Sequence, residues 1–290
     1  MDNPFVVDYP DQYDMNLVKM AVEGDREALQ TLISRHHIFV YNLALKMTKS
    51  IEDAEDMSQE VFIKVITALS QFKGKSRFRT WLYRITVNHI LNAEKRKTEQ
   101  EITGFEEYGQ FLAALPDGHL TEFEKNKFLG AIEEIRIQCT AGMLLCLDRE
   151  QRMIFILGEL FEIDHNLGAE IFGISKGNFR IRLMRARQDL HNWMHENCGL
   201  VHKANPCRCA KKTKHFIDAG YVDPDNLKFN SNYKQKIYEL SEKSANDLMD
   251  SVEDMHRDIY QSHPLQEPMD SSIMMSKILS NELIRNVMKI

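Results

Sequence analysis

Apolar residues recur at Ala54, Met57, Val61, Val65 and Leu69, a three- and four-residue spacing that a helix gathers onto one face. The same stretch carries Glu52, Asp53, Asp56, Gln59 and Glu60 on a different surface. Acids in a helix's first turn are favoured by the helix dipole, so this helix alone needs no further explanation. Its neighbour does. From Phe72 to Lys97 the chain reads FKGKSRFRTWLYRITVNHILNAEKRK, with Lys73, Lys75, Arg77, Arg79, Arg84, Lys95, Arg96 and Lys97 against a single acid, Glu94. An acidic helix directly before a basic one makes a module with two faces of opposite charge.

The formal net charge of the chain is −6, so this positive charge is concentrated rather than spread. Phe72, Phe78, Trp81 and Tyr83 are interleaved with the cations. Single-stranded nucleic acid asks for that pattern: cations follow the phosphates and planar rings meet unstacked bases. The same residues also describe an amphipathic helix with Trp81, Leu82 and Ile85 in a core and a solvated basic face. Both readings stand on this segment alone. The acidic helix, for its part, suits a basic protein partner.

DAEDMSQEVFIKV followed by FRTWLYRITVN resembles the promoter-opening domain of bacterial RNA polymerase sigma factors of the extracytoplasmic-function class, over about residues 15 to 97. The resemblance implies that the first helix docks on the clamp of core RNA polymerase through Asp53, Asp56, Gln59 and Glu60. It implies that the second helix and its preceding loop hold the melted −10 strand. The residues there are Lys75, Arg77, Arg79, Trp81, Arg84, Asn88, Lys95 and Arg96.

Residues 98–127, TEQEITGFEEYGQFLAALPDGHLTEFEKNK, are acid-rich, contain Gly104, Gly109, Pro116 and Gly118, and show no sustained amphipathic period. They are expected to form a linker with short helical turns. Either a solvated tether or passage through a basic channel fits, and the resemblance implies entry into the polymerase cleft.

Asp148 is positioned to cap REQRMIFILGELF, whose inward stripe is Met153, Ile154, Leu157 and Leu160 or Phe161. Residues 167–175, LGAEIFGIS, read as a short helix ended by Gly173. Ser175 then caps a helix with Phe179, Leu183, Ala186 and Leu190 inward. Lys176, Arg180, Arg182, Arg185 and Arg187 lie outward or flanking. Short helix, glycine turn and basic second helix predict a helix-turn-helix whose second helix enters a major groove. AEIFGIS and RLMRAR resemble the −35-binding domain of the same family, with Lys176, Asn178, Arg180, Arg182, Arg185 and Arg187 as its DNA-binding residues. Leu167-Gly168 and Asn178-Phe179 depart from the family pattern. Gly168 should cost its helix up to about 1 kcal/mol relative to Ala. Asn178 can pair bidentately with adenine, so base preference is expected to differ.

Beyond Trp193 the chain continues past what two such domains require. Cys198, Cys207 and Cys209 lie near His195 and His202, and Lys203, Arg208, Lys211 and Lys212 surround them. Three readings are open. A structural zinc would use His195, Cys198, Cys207 and Cys209; redox-sensing thiols would be activated by the cations; or the thiols simply pack. Cys139 and Cys146, in QCTAGMLLCL, read as buried small hydrophobes. Residues 232–260 are expected to form a helix. Pro264 and Pro268 break it, and a last amphipathic helix uses Ile273, Ile278, Leu279, Leu283, Ile284 and Val287.

The expected fold is all-α: two helical DNA- and polymerase-binding domains joined by a linker, the second a helix-turn-helix, plus a helical C-terminal extension. The expected boundaries are 1–97, 98–127, 128–197 and 198–290. The expected function is a sigma factor without catalysis of its own and with no required cofactor. Its partners would be core RNA polymerase, single-stranded −10 and duplex −35 promoter DNA, and, as the family allows, an anti-sigma factor. The alternative is a helix-turn-helix regulator that never docks into polymerase; a nucleic-acid enzyme would need a Walker motif or a catalytic carboxylate cluster, and neither is found. No apolar run approaches the roughly 20 residues that span a bilayer. The start, MDNPFVVDYPD, has no signal-peptide pattern. A cytoplasmic protein without membrane association is expected.

Overall fold

The computed structural model describes residues 11–102, 104–229, 259–261, 263–280 and 284. In chain order the helices are α1 (Asp11–Val22), α2 (Arg26–Thr48), α3 (Ile51–Ala68), α4 (Phe78–Asn92), α5 (Lys97–Glu101), α6 (Phe105–Ala114) and α7 (Glu122–Lys127). They continue as α8 (Leu129–Leu145), α9 (Arg149–Phe155), α10 (His165–Phe172), α11 (Lys176–Asn197), α12 (Cys209–Asp218) and α13 (Ser271–Leu279). A π-helical turn, Ile156–Leu160, extends α9. Among the described residues there is no strand, only an isolated bridge between Cys198 and Cys207. No described helix is long and apolar enough to cross a membrane. The protein is all-helical.

Chain contacts divide it into two compact units. The first comprises Met1–Gln100, Arg149–Leu183 and Leu265–Ile290; the second comprises Glu101–Asp148 and Met184–Pro264. In the first unit, the side chain of Asp25 accepts from the Ala28 amide and that of Ser50 from the Asp53 amide. These caps satisfy helix-end donors that would otherwise lack partners. Ala54, Met57 and Val61 are 0% exposed and Val65 and Leu69 are 2%, so the stripe is core. It packs on α2, whose Leu29, Leu32, Phe39, Val40, Leu43 and Met47 are also buried.

Titratable groups are held inside this bundle. The Asp14 carboxylate accepts from Arg35 Nε at 2.8 Å and lies 3.1 Å from His36 Nε2. Burial raises its pKa, but the bonds and charges of His36 and Arg35 outweigh that and hold it below the usual value. Burial lowers His37 from 6.5 to about 4, against the opposing charge of Asp270. A histidine kept neutral in the fold stabilises it fully above its unfolded value. That stability is lost as pH falls through the folded one. Acidification from about pH 6.5 to pH 4 should therefore cost about 3 kcal/mol through His37. Melting curves across that range should fall more steeply for the native chain than for His37→Gln. Parallel curves would show that His37 is not the group responsible.

The helix-turn-helix begins in the same unit. Asp164 caps α10, Gly173 ends it with φ 65°, and the Ser175 hydroxyl accepts from the Asn178 amide at 3.2 Å. Gly168 has a packing reason: a Cβ there would come within 2.5 Å of the Phe179 ring, which is fully buried. Burying a Phe contributes about 1.5–3 kcal/mol. That offsets the roughly 1 kcal/mol a helical glycine costs.

The second unit contains α6, α7, α8, α12 and the latter part of α11. Its core includes Tyr108, Leu112, Leu115, Ile135, Met143, Leu190, Met194, Phe216 and Tyr260. Residues 98–127, expected to be a linker, contribute to this core. Tyr108, Leu112 and Leu115 recur at helical spacing and face inward, and the Tyr108 hydroxyl donates to the Cys139 carbonyl at 2.9 Å. The surrounding acids and glycines mask that short stripe in the sequence. The expected boundary at 127/128 therefore falls inside a packed unit, and α11 is divided at Leu183/Met184. The helix expected over 232–260 lies outside the described residues except at its end, where Ile259 and Tyr260 are buried.

Candidate nucleic-acid and protein-docking interfaces

Helix α4 sets its apolar residues inward and leaves a mixed basic and aromatic face. Phe78 and Tyr83 are 0% and 1% exposed. They belong to the core, with Tyr83 against Phe39 at a ring separation of 3.8 Å. Of the four interleaved aromatics, only Phe72 and Trp81 remain partly accessible, their rings 5.2 Å apart. Around them Lys75, Arg77, Asn88 and Lys95 are exposed, and Arg79 and Arg84 are half-buried. Arg77 also lies 3.4 Å from Asp11. One surface thus offers two neighbouring aromatic rings within a band of cations.

Arg77 is one of three expected strand-binding cations with a carboxylate neighbour, and Arg84 and Arg96 are the others. Helix α10 packs on α4. Arg84 Nη2 donates to the Glu170 carbonyl at 2.9 Å and lies 3.7 Å from its carboxylate. Arg96 reaches Glu60 at 3.1 Å and approaches Asp53 at 4.0 Å, while His89 lies 2.9 Å from Glu60. The acidic residues of α3 therefore split. Asp53 and Glu60 turn toward Arg96, whereas exposed Asp56 and half-buried Gln59 lie on another face with Glu55. Helical geometry accounts for the split, since positions 53 and 60 are two turns apart and 56 and 59 lie on an adjoining strip.

A buried joint, not foreseen from sequence, ties α9 to the end of the α4 region. Glu99 has a fully buried side chain, and Arg149 grips it twice, Nε to Oε1 and Nη2 to Oε2, both at 3.0 Å. Arg152 approaches the same carboxylate at 3.3 Å and donates to the Met47 carbonyl at 2.7 Å. The Arg96 amide donates to Glu99 Oε2 at 3.1 Å. Arg149 also donates to the carbonyls of Leu91 and Ala93.

On α11, Lys176, Asn178, Arg180 and Arg185 are exposed, while Arg182 and Arg187 are half-buried. Arg182 pairs with Glu150. Ile181 and Met184 are also exposed on this helix, Met184 at 58%. A helix with an exposed Asn and cations near its N-terminus and apolar side chains beside them has the components for reading base edges and thymine methyl groups.

In the second unit, Cys198, Cys207 and Cys209 line one cavity of about 480 Å³, and Cys139 joins them. His195 is exposed and stacks on His202 with ring centroids 4.7 Å apart, and it is not among the cavity residues. Among the described residues no three His, Cys, Asp or Glu side chains come together as a metal-holding group. Of the three readings of these thiols, activation by nearby cations is opposed by their burial. Burial raises Cys198, Cys207 and, furthest, Cys209, outweighing the lowering effect of Arg208 on Cys198 and of Lys212 and Arg208 on Cys207. Thiols kept protonated are poor nucleophiles.

Residues 32–100, which include α3 and α4, match the family described as Sigma-70 region 2. The chain is 33% identical over 182 residues to the ECF RNA polymerase sigma-E factor of Escherichia coli strain K12, covering 62% of this chain and 93% of that one. It is 28% identical over 182 residues to the RNA polymerase sigma-H factor of Pseudomonas aeruginosa, covering 61% and 91%. A solved structure of CnrH in complex with the cytosolic domain of CnrY shares 20% identity and a TM-score of 0.45, covering 63% of this chain and 98% of that one.

Proposed function

The chain belongs to the extracytoplasmic-function class of RNA polymerase sigma factors, and on that premise we propose that it directs core polymerase to specific promoters and holds the opened −10 strand. Helix α3 docks on the core enzyme through the strip bearing Asp56 and Gln59. The face of α4 with Phe72, Trp81 and the cations around them takes the melted strand, and the N-terminal part of α11 reads the −35 duplex. Opening then follows from tighter binding to the single strand than to the duplex, since a ligand shifts an equilibrium only by its differential affinity. Phosphate-binding cations set position and salt dependence, while Asn178 and its neighbours set sequence preference.

The observation that carries this reading is the adjacency of an exposed acidic strip on α3 and an exposed basic, aromatic face on α4 within one compact bundle. Asp56 is the residue to test, because Glu60 is paired internally with Arg96. Asp56→Lys should weaken binding to purified core polymerase at least tenfold, about 1.4 kcal/mol, with the thermal melt unchanged. A titration showing unaltered core affinity would favour the alternative, a helix-turn-helix regulator acting without docking into polymerase.

A further inference from the structure

The C-terminal extension returns to the first unit and settles beside the strip assigned to polymerase docking. Its extended approach is fixed by Asn42 of α2, whose side-chain amide donates to the Gln266 carbonyl at 2.9 Å and accepts from the Gln266 amide at 2.8 Å. Asp270 caps α13 by accepting from the Ser272 amide at 2.7 Å. The Ser34 hydroxyl donates to that of Ser271 at 2.8 Å. Met274, Met275 and Ile278 of α13 are buried, and so is Ile284 beyond it. The helix contacts both α2 and α3.

The contact with α3 has a specific chemistry. Met269, Met274 and Lys277 wall one side of a narrow crevice, and Glu55, Asp56 and Gln59 of α3 wall the other, with His37 of α2. Lys277 is the only charged residue in α13. It faces the acidic strip with the sign a basic docking partner would carry. Methionines supply adaptable apolar surface beside it. The tail thus presents to α3 a cation set among flexible apolar side chains.

We infer that residues 265–280 act as an internal competitor for core RNA polymerase, with α13 seated beside exposed Asp56 and half-buried Gln59 of α3 in the free protein. This inference rests on the docking assignment made above. Core polymerase must then displace α13 before docking, and its apparent affinity falls by the fraction of molecules in which the strip is uncovered. Whatever binds the extension and draws it away would raise activity without touching either DNA-binding surface.

The proximity of Ser34 and Ser271 allows a direct test in the full chain. The double variant Ser34→Cys/Ser271→Cys should oxidise to a disulfide that locks α13 in place. Its affinity for core polymerase, measured by titration, should fall at least tenfold and recover on adding dithiothreitol, while the native chain treated identically stays constant. In the opposite direction, Met274→Glu sets a carboxylate against Glu55 and Asp56 and should tighten core binding several-fold. Equal affinity of the locked and reduced double variant would overturn the inference. So would failure of the cysteine pair to oxidise, because the tail would not then lie where the structure places it. If Met274→Glu does not fold, the locking experiment decides alone. Asp56→Lys separates the two assignments. Core binding unaffected by Asp56→Lys removes the docking assignment itself. Core binding lost in Asp56→Lys but indifferent to the lock removes only the competitor.

Discussion

Glu99→Ala should destabilise the first unit by about 3–5 kcal/mol, the usual consequence of stripping the partner from a buried ion pair. Glu99 is enclosed, and Arg149 and Arg152 both direct guanidinium groups at it. Without the carboxylate, two cations remain in a space that water reaches poorly, and the Arg96 amide loses its acceptor. The backbone carbonyls of Leu91, Ala93 and Met47 retain some of the arginines' hydrogen bonds, so the loss should stay near that range rather than above it. Denaturant unfolding of the full chain measures it directly. Replacing Glu99, Arg149 and Arg152 together by apolar residues should recover much of the loss, since well-packed apolar groups often match a buried ion cluster. A loss below about 1 kcal/mol for Glu99→Ala, typical of solvated surface pairs, would show that the joint is open to water.

Trp81→Ala should impair promoter opening while leaving the fold intact. The ring is half-buried, tilted against Phe72 at 5.2 Å and against Phe78 at 5.7 Å. Its accessible edge belongs to the surface proposed to hold the melted strand. Removing an aromatic platform costs about 1–3 kcal/mol per stacked base, a five- to more than hundredfold loss of the open complex. Permanganate footprinting on a supercoiled promoter would report the missing unpaired thymines, and far-ultraviolet dichroism would confirm the helices. Normal reactivity after the replacement would remove Trp81 from the strand-binding surface. Phe78 offers no comparable test, because its ring is core and its loss would disturb the bundle.

Local periodicity was enough to read α3, α4, α10 and α11 from the sequence, because each has its stripe, cap or glycine stop within a few residues. The stripe from Ala54 to Leu69 and the Gly173 turn stand as expected. Long-range geometry was not legible. Aromatic rings suited to stacking on bases and rings suited to a core are the same residue types, so Phe78 and Tyr83 could not be separated from Phe72 and Trp81. Glu99 lies in a run of acids that resembles any solvated tether, and its partners are about fifty residues away. Cys139 joins the other three thiols only through tertiary packing. In α13, Ile278 is buried as the spacing predicts, but Ile273 is 52% exposed and Met274 and Met275 take the inward positions. The face a short amphipathic helix turns inward depends on what it meets, and α2 and α3 lie more than 200 residues upstream.

The pairing of Arg84 with Glu170 and of Arg96 with Glu60 bears on how ionic strength acts on promoter binding. A free arginine that meets a phosphate drives condensed counterions off the DNA, and their release supplies the favourable entropy of most nucleic-acid complexes. An arginine already beside a carboxylate must give up part of that attraction to meet a phosphate, so it contributes less to the salt-dependent affinity than a free one. The strand capture proposed for this surface should therefore be less sensitive to salt than its number of basic residues implies, which the slope of log affinity against log salt would measure.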